Sequence, residues 1–419
     1  MRSEMHTIIR VRREAESRSA VETVHEPEIA LQATLGSARP AACGRLSALD
    51  AFTGMGQRAK LHRIRKYAPR LVACLGFGAV AACVGPGYLA NRSAALLAVA
   101  EPAVASHWDA ELVAQALPGQ ILQLEGLVRA SPENLDLALA LARAYLGYAY
   151  GVVEEELEQR NIQLKAEPKG LDALAEATDP LASQSTPTDA LSYLPGTRAQ
   201  VLRDRAGRIY ERVRALGGNA LEQVRPGYAV ARAQGPAALA RYAAALGQGD
   251  HDAAFLLATG LGWGAWIQLQ DQAPAAIAEL PLAQALVERS VELAPDLDGA
   301  AGLIFLGSVA AALPKAAGGD PQQARVFFDR ALELTQGEAL GVHLAYAREV
   351  GVRFEDRALF SKLIAATEAA GVPPGTGGAR FRLANAFHAP RLRRLKRQHC
   401  AWLGENGCAA YGMAQPGDL

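Results

Sequence analysis

The sequence is notable first for what it lacks. It has no excess of one charge, because 43 Lys and Arg balance 43 Asp and Glu over 419 residues. That leaves no strongly basic surface for bulk nucleic-acid binding. Glycine and proline (40 and 22) stay near ordinary usage, which excludes a fibrous or collagen-like chain. Half of the residues are hydrophobic, so disorder throughout is excluded and the length suffices for two or three domains with cores.

Catalytic motifs are also missing. His107, His251, His343, His388 and His399 show neither HExxH spacing nor a paired arrangement suited to zinc. His399 adjoins Cys400, but neighbours on a helix point about 100° apart. His251, between Asp250 and Asp252, reads as a solvated turn. The glycine-rich GLGWG (260–264) and GVPPGTGG (371–378) follow no strand, the second lacks the Lys-Ser/Thr ending of a phosphate loop, and both read as helix-turn punctuation. There is no G-x-S-x-G elbow. The sequence therefore predicts a protein that is not an enzyme, with no cofactor and no metal.

The neutral total conceals an uneven distribution. Residues 1–54 carry seven basic and seven acidic side chains, residues 55–83 carry six basic and none acidic, and the remainder is mildly acidic. From Met55 a basic stretch, MGQRAKLHRIRKYAPR, precedes the uncharged LVACLGFGAVAA and Cys83, the layout of an export signal. Val80-Ala81-Ala82-Cys83 resembles a bacterial lipobox, in which the cysteine is acylated. A retained anchor is the alternative, because the uncharged run continues to Ala90, although Gly85, Pro86 and Gly87 would interrupt such a helix. Either way the positive-inside rule leaves the body outside the cytoplasm. Met55 is a better initiator than Met1, and residues 1–54 read as a weakly structured extension.

Five cysteines occur. Cys43 and Cys74 would leave with the leader and Cys83 would carry lipid, so Cys400 and Cys408 remain. They form either a disulfide that ties down the C-terminal tail or two free thiols, since spacing alone does not fix their separation.

Alternating Val/Ile/Thr runs are absent, and the body is a succession of Ala- and Leu-rich segments with helical period, which predicts an all-α fold. In 320–335 the positions Ala324, Phe328, Ala331, Leu332 and Thr335 form one stripe. Ala324, Phe328 and Ala331 match the second-helix spacing of a tetratricopeptide (TPR) repeat, while Leu306, Gly307 and Ala310 match the first. Ala283, Val287, Ser290 and Pro295 repeat the second-helix pattern, and Leu124, Leu127 and Pro132 precede Leu141, Ala142 and Tyr145 in a third instance. A TPR-like helix-pair array over 106–403 is the reading, with a generic helical bundle as the alternative. A linker is expected at 84–105, a Pro/Ser/Thr-rich loop at 179–196 and a tail at 404–419.

Residues 391–403 place Leu392, Leu395, His399 and Trp402 on one face and Arg393, Arg394, Lys396 and Arg397 on the other. This reads as a capping helix with a polar outer face, the alternative being a basic patch for lipid headgroups or an acidic partner. Tyr145, Tyr148, Tyr150, Trp263 and Trp266 fall at helical spacing, so core packing is their default role. The functional alternative is an apolar ligand groove or partner surface that includes Tyr145 and Tyr148, with Trp263 and Trp266 as its anchors.

Several of these segments resemble one family. GLGWGAWIQL with Trp263 and Trp266, LPKAAGGDPQQARVFFDRALEL (313–334), HLAYAREVGVRFEDRALFSKLI (343–364), LANAF (383–387) and LVRASPENLDLALALARAYLGYAYGVVEEE (127–156) are similar to the TPR-containing T components of tripartite ATP-independent periplasmic (TRAP) transporters, the TatT-like proteins. The resemblance covers most of 105–403. Residues 1–54 and the tail after Trp402 depart from it. It implies a lipid-anchored envelope protein outside the cytoplasm; Val84 after Cys83, in place of the aspartate associated with inner-membrane retention in some bacteria, favours the outer over the inner membrane. It also implies homotrimerisation, docking to the transporter's periplasmic solute-binding protein, and passage of a hydrophobic small-molecule ligand along a pore. The rival expectation is a TPR lipoprotein that scaffolds envelope or cell-wall assembly.

Overall fold

The computed structural model describes residues 86–166, 195–270, 273–314, 318–369, 379–403 and 408. Residues 1–54, the leader with Cys83, most of 179–196, the glycine-rich 371–378 and most of the tail lie outside the described residues.

The described residues are helical and contain no strand. α1 (Pro86–Ala105), α2 (Ala110–Ala130) and α3 (Leu135–Tyr148) come first. α3 continues through a π-helical segment, Ala149–Val153, into α4 (Glu154–Ala166). The 30-residue α5 (Pro195–Val224) is followed by α6 (Tyr228–Ala233), α7 (Pro236–Ala244), α8 (Asp252–Gln268) and α9 (Pro274–Ile277). Next are α10 (Leu280–Leu293), α11 (Leu297–Ala312), α12 (Pro321–Leu334) and α13 (Leu340–Tyr346). A second π-helical segment, Ala347–Val352, precedes α14 (Arg357–Ala369), and α15 (Arg382–Gln398) lies between the 3-10 turns Ala379–Phe381 and Cys400–Leu403.

Local chemistry sets the helix starts. The Asp109, Asn134 and Asp320 carboxyl or amide oxygens accept from backbone N–H groups in the first turns of α2, α3 and α12, satisfying donors that a helix leaves open. Pro321 follows Asp320 at a position that needs no donor. Asn385 of α15 accepts from the Leu340 N–H and donates to the Glu338 carbonyl, so the last long helix pins the start of α13.

The repeat spacing becomes close helix packing. Ala324, Phe328 and Ala331 are fully buried on α12, and a Cβ added at Gly307 of α11 would stand 2.9 Å from Phe328 Cε2. Ala283, Val287 and Ser290 are buried on α10, and Ser290 Oγ donates to the Ala253 carbonyl of α8. Leu124 and Leu141 pack in one core cluster between α2 and α3, and Ala142 is buried with Val213 of α5 and Ala258 of α8. Small residues let paired helices approach, and larger ones fill the gaps between pairs.

Three expectations need correction. Residues 86–105, expected as linker, form α1, because Ala90 and Ala94 are small enough to pack against Leu117, Ile121 and Leu124. GLGWG is no turn; it lies inside α8, where Gly260 faces the Ala283 carbonyl and Val287 of α10, and Gly262 faces Val213 of α5. His251 stands, as expected, in the turn before α8 with its ring partly exposed, and its Nε2 lies 3.0 Å from Asp136 Oδ1. The adjacent buried Asp252 accepts the N–H groups of Gly247, Gln248 and Gly249. Finally, the basic side of α15 is not wholly an outer face, because Arg391 and Arg394 turn inward onto α4.

That last correction shows how the array closes. α15 packs against α1 and α2, elements nearly 300 residues earlier in the chain. Arg143 of α3 pairs with Glu101 of α1 (2.9 Å) and Asp298 of α11 (3.1 Å). Tyr150 meets His388, and Arg394 binds both Glu155 and Glu158. First and last helices thus pack directly against each other. No helix among the described residues is long and apolar enough to cross a membrane.

Candidate functional site

The four aromatic residues singled out from the sequence do not gather in one pocket. They are arrayed along α5, whose polar side chains take the polar part of each in turn. Arg205 donates to the Tyr148 hydroxyl (2.7 Å) and lies over its ring. Arg212 binds Glu125 in a two-pronged pair, and the Tyr145 hydroxyl donates to the same carboxylate (3.0 Å). The Arg212 hydrogen bond holds Glu125 below the usual carboxylate range. Glu211 accepts from Trp266 Nε1 (3.0 Å), and Arg214 stands over both indoles, 5.1 Å from the Trp263 centroid and 4.9 Å from that of Trp266.

Their exposures separate the roles. Trp263 is 2% exposed in the core between α5, α8 and α10, with Nε1 donating to Glu279 (2.7 Å). Tyr148 is buried as well, so neither is an open ligand anchor. Trp266 is half-buried at the edge of a groove of about 420 Å3 formed with Gln200, Asp204, Arg208 and Glu211. Charged side chains dominate that groove, so it does not match the apolar cleft anticipated around the tryptophans.

A second constellation, not singled out from the sequence apart from Tyr150, lies where the chain ends meet. The π-helical segment Ala149–Val153 contributes Tyr150, and Glu154 follows it at the start of α4. Its counterpart Ala347–Val352 contributes Arg348, and α15 supplies His388 and Arg391. Such segments insert an extra residue into a helical turn and recur at functional sites. The Tyr150 hydroxyl and His388 Nδ1 share a hydrogen bond of 2.9 Å. Arg391 lies 4.0 Å above the Tyr150 ring, donates to the Tyr150 carbonyl (2.8 Å) and binds Glu158 (2.9 Å). Tyr210 of α5 donates to Glu154 Oε1 (2.6 Å).

Burial dominates the electrostatics of this cluster. Burial pushes Tyr150 up and Tyr210 well above the ordinary phenol value, and it raises the Glu154 carboxyl against the Tyr210 hydrogen bond. Burial, aided by Arg391 and Arg348, lowers His388 to about 4, so its imidazole is neutral at neutral pH. Arg348 is 48% exposed, yet burial is the largest influence acting on it; Glu349, Tyr150 and Glu158 outweigh that burial and hold it above the usual arginine value.

A sequence signal for this site exists in hindsight. Tyr148-Ala149-Tyr150 and Tyr346-Ala347-Arg348 occupy matching places in the two helix-to-π transitions, an internal echo whose third member differs. The Cys400 and Cys408 sulfurs are bonded, with Cα atoms 4.7 Å apart. Trp402 packs edge-on to Phe360 and under Arg357. No group of three or more His, Cys, Asp or Glu among the described residues is placed to hold a metal ion.

Paired helices with buried small-residue stripes, whose first and last members meet at a polar cluster, define an all-α helical-repeat protein, a class that presents concave surfaces to ligands and partners. The chain belongs to the TRAP transporter T-component family, whose model matches residues 106–177 and 184–400. This is a family of transporter accessory proteins rather than an enzyme class. Comparison with curated proteins gives no match.

Proposed function

We propose that this protein is a non-enzymatic, lipid-anchored accessory component of a TRAP-type solute uptake system. It works outside the cytoplasm, held by acylated Cys83 to the outer membrane. Its helical surface docks the system's periplasmic solute-binding protein, and the polar cluster where the chain ends meet receives the solute that passes between them. The observation that carries this reading is membership of the T-component family, and the half-exposed Arg348 in that cluster supports a solute site there. The charged groove beside Trp266 supports a docking role for that side of α5.

Self-association uses a different face. Leu89, Leu96 and Val99 of α1, together with Leu112 and Leu122 of α2, are exposed apolar side chains that reach 80% exposure at Val99. Apolar side chains exposed together on adjoining helices mark interaction surfaces. Pairing of these faces between copies would assemble a homo-oligomer, with a trimer as the family resemblance implies.

In-cell crosslinking of a C-terminally tagged full-length chain, with mass spectrometry of the captured proteins and of its own N-terminus, tests the proposal. Capture of a periplasmic solute-binding protein and an acylated Cys83 peptide are the expected results. Capture of cell-wall or outer-membrane assembly proteins with no solute-binding protein would overturn the transport reading in favour of a scaffold.

A further inference from the structure

The long helix α5 borders a second groove. It holds about 320 Å3, and its lining comes from α2, the turn after α2, α3 and α5, sharing no residue with the groove beside Trp266. Its floor is apolar. Val128, Pro132, Ala138, Leu216 and Ala220 supply it, and the last two together with Ala138 are buried. The volume is near the lower end of the range for ligand clefts, which suits a side chain or two better than a whole cofactor.

The charges around this floor are unequally committed. Glu125 accepts both prongs of Arg212 and the Tyr145 hydroxyl, so each of its oxygens already has a donor and its carboxyl is held below the usual range. Glu133, whose carbonyl accepts from the groove residue Gln223, has its carboxylate 2.7 Å from Ser131 Oγ. Arg129 differs. It is exposed, it makes no hydrogen bond or ion pair among the described residues, and its charge acts on Glu125 within the groove. Asn219, another exposed lining residue, adds an uncommitted amide. An occupant therefore finds an apolar floor, one open guanidinium and one amide, with the carboxylates already taken. An exposed cation adds little affinity alone, but beside buried apolar surface it selects the sign of charge that docks.

We propose that this groove docks a segment of a partner protein in which a large apolar residue stands beside an Asp or Glu, the apolar side chain filling the floor and Arg129 receiving the carboxylate. So small a seat holds weakly by itself, which makes its occupant part of a larger body that touches the protein elsewhere. The groove beside Trp266 is that second place. Residues 200–211 of α5 line the first groove and residues 212–223 the second, so the two stand roughly 18 Å apart along one helix, within the span of a single standard interface. The inference rests on the docking role proposed above and names the chemistry of what docks.

Photo-crosslinking from p-benzoylphenylalanine placed at position 219 of the full chain, irradiated in cells, with mass spectrometry of the joined peptides, tests it. The expected product joins position 219 to one recurrent segment of another protein, with Asp or Glu beside a large apolar residue. The same probe at position 326, exposed on α12, should not join that segment. Arg129→Glu should lower the yield about tenfold, and Arg129→Lys should keep it within about threefold. Both variants change an exposed side chain and should melt near the parent, so a loss confined to Arg129→Glu reports the charge. Trp266→Ala should lower the yield as well, because one partner covers both grooves. Crosslinks to no protein, to another copy of this chain or to segments without a carboxylate would each overturn the proposal, as would an unchanged yield in Arg129→Glu. The identity of the joined protein is a separate readout. A cell-wall assembly protein joined through an acidic segment in an Arg129-dependent way would overturn the transport reading and leave the groove assignment standing, while a solute-binding protein captured by the chain but never joined at 219 would do the reverse.

Discussion

Tyr150 and His388 stand 238 positions apart in the sequence, and the phenol oxygen of one lies 2.9 Å from Nδ1 of the other. The pair ties the first π-helical segment to the last long helix, beneath the guanidinium of Arg391. It requires a neutral imidazole, since Arg391 and Arg348 together with burial hold His388 near 4.

That requirement sets a pH dependence. The unfolded histidine titrates near 6.5 and the folded one near 4, so between these values the unfolded chain binds more protons. Stability from this group is complete above about 6.5 and falls as pH drops towards 4, by roughly 3 kcal/mol in all. Glu154, raised by burial, tilts the opposite way and is common to both proteins in the comparison. Denaturant unfolding from pH 7 to 4.5 should show a shallower decline for His388→Gln than for the parent; parallel curves would refute the assignment.

The ion pairs at the closure should be unequal in weight. Arg391→Ala leaves Glu158 and Glu155 short of a partner in a site where the arginine is 3% exposed, and should cost about 3–5 kcal/mol. Arg330→Ala, which removes an exposed pair with Glu333 on α12, should change stability by under about 1 kcal/mol. Urea unfolding of both variants measures the contrast.

The two tryptophans of α8 should part company. Trp263→Ala empties a core position and leaves Glu279 with Arg214 alone, for an expected loss of about 3–5 kcal/mol. Trp266→Ala removes a half-buried ring at the edge of the charged groove and should lower partner capture with a clearly smaller loss of stability. A Trp266 variant that captures partner normally would remove the groove from the docking surface.

Gly260 is a test of helix approach. A methyl there would overlap Val287 Cγ2 and lie 3.0 Å from the Ala283 carbonyl oxygen, which is backbone and cannot rotate away. Gly260→Ala should therefore destabilise the protein by about 1–3 kcal/mol despite its better helix propensity. Thermal unfolding followed by far-ultraviolet circular dichroism would show it.

The Cys400–Cys408 bond closes a short loop, and its loss in Cys408→Ser should cost at most about 2–3 kcal/mol on the chain-entropy account. Peptide mapping without reductant should recover the two cysteines in one cross-linked species.

How far the sequence could be read depended on whether a feature repeats. Ala324, Phe328 and Ala331 recur at spacings that only a buried helix face explains, so the helix pairs of 106–403 were legible before any coordinates. α1 was not, because its alanine-rich stripe at Ala90 and Ala94 lacks the large apolar residues that announce a packed helix. The aromatic residues drew attention by type, yet what decides their role is α5, whose Arg205, Glu211, Arg212 and Arg214 claim their polar ends. The polar cluster escaped for a different reason. Tyr150, Arg348 and His388 come from three distant segments, and no local pattern encodes their meeting.

The closure also ties the cluster to the completeness of the chain. Its members come from residues between Tyr150 and Arg394, so every intervening helix pair must be in place before Tyr150 can find His388. Contacts of such long sequence separation pay their loop-closure cost late in folding. A protein clipped between α13 and α15 would keep most of its helical signal and still present no site, so ligand competence acts as a check on the intactness of the whole molecule.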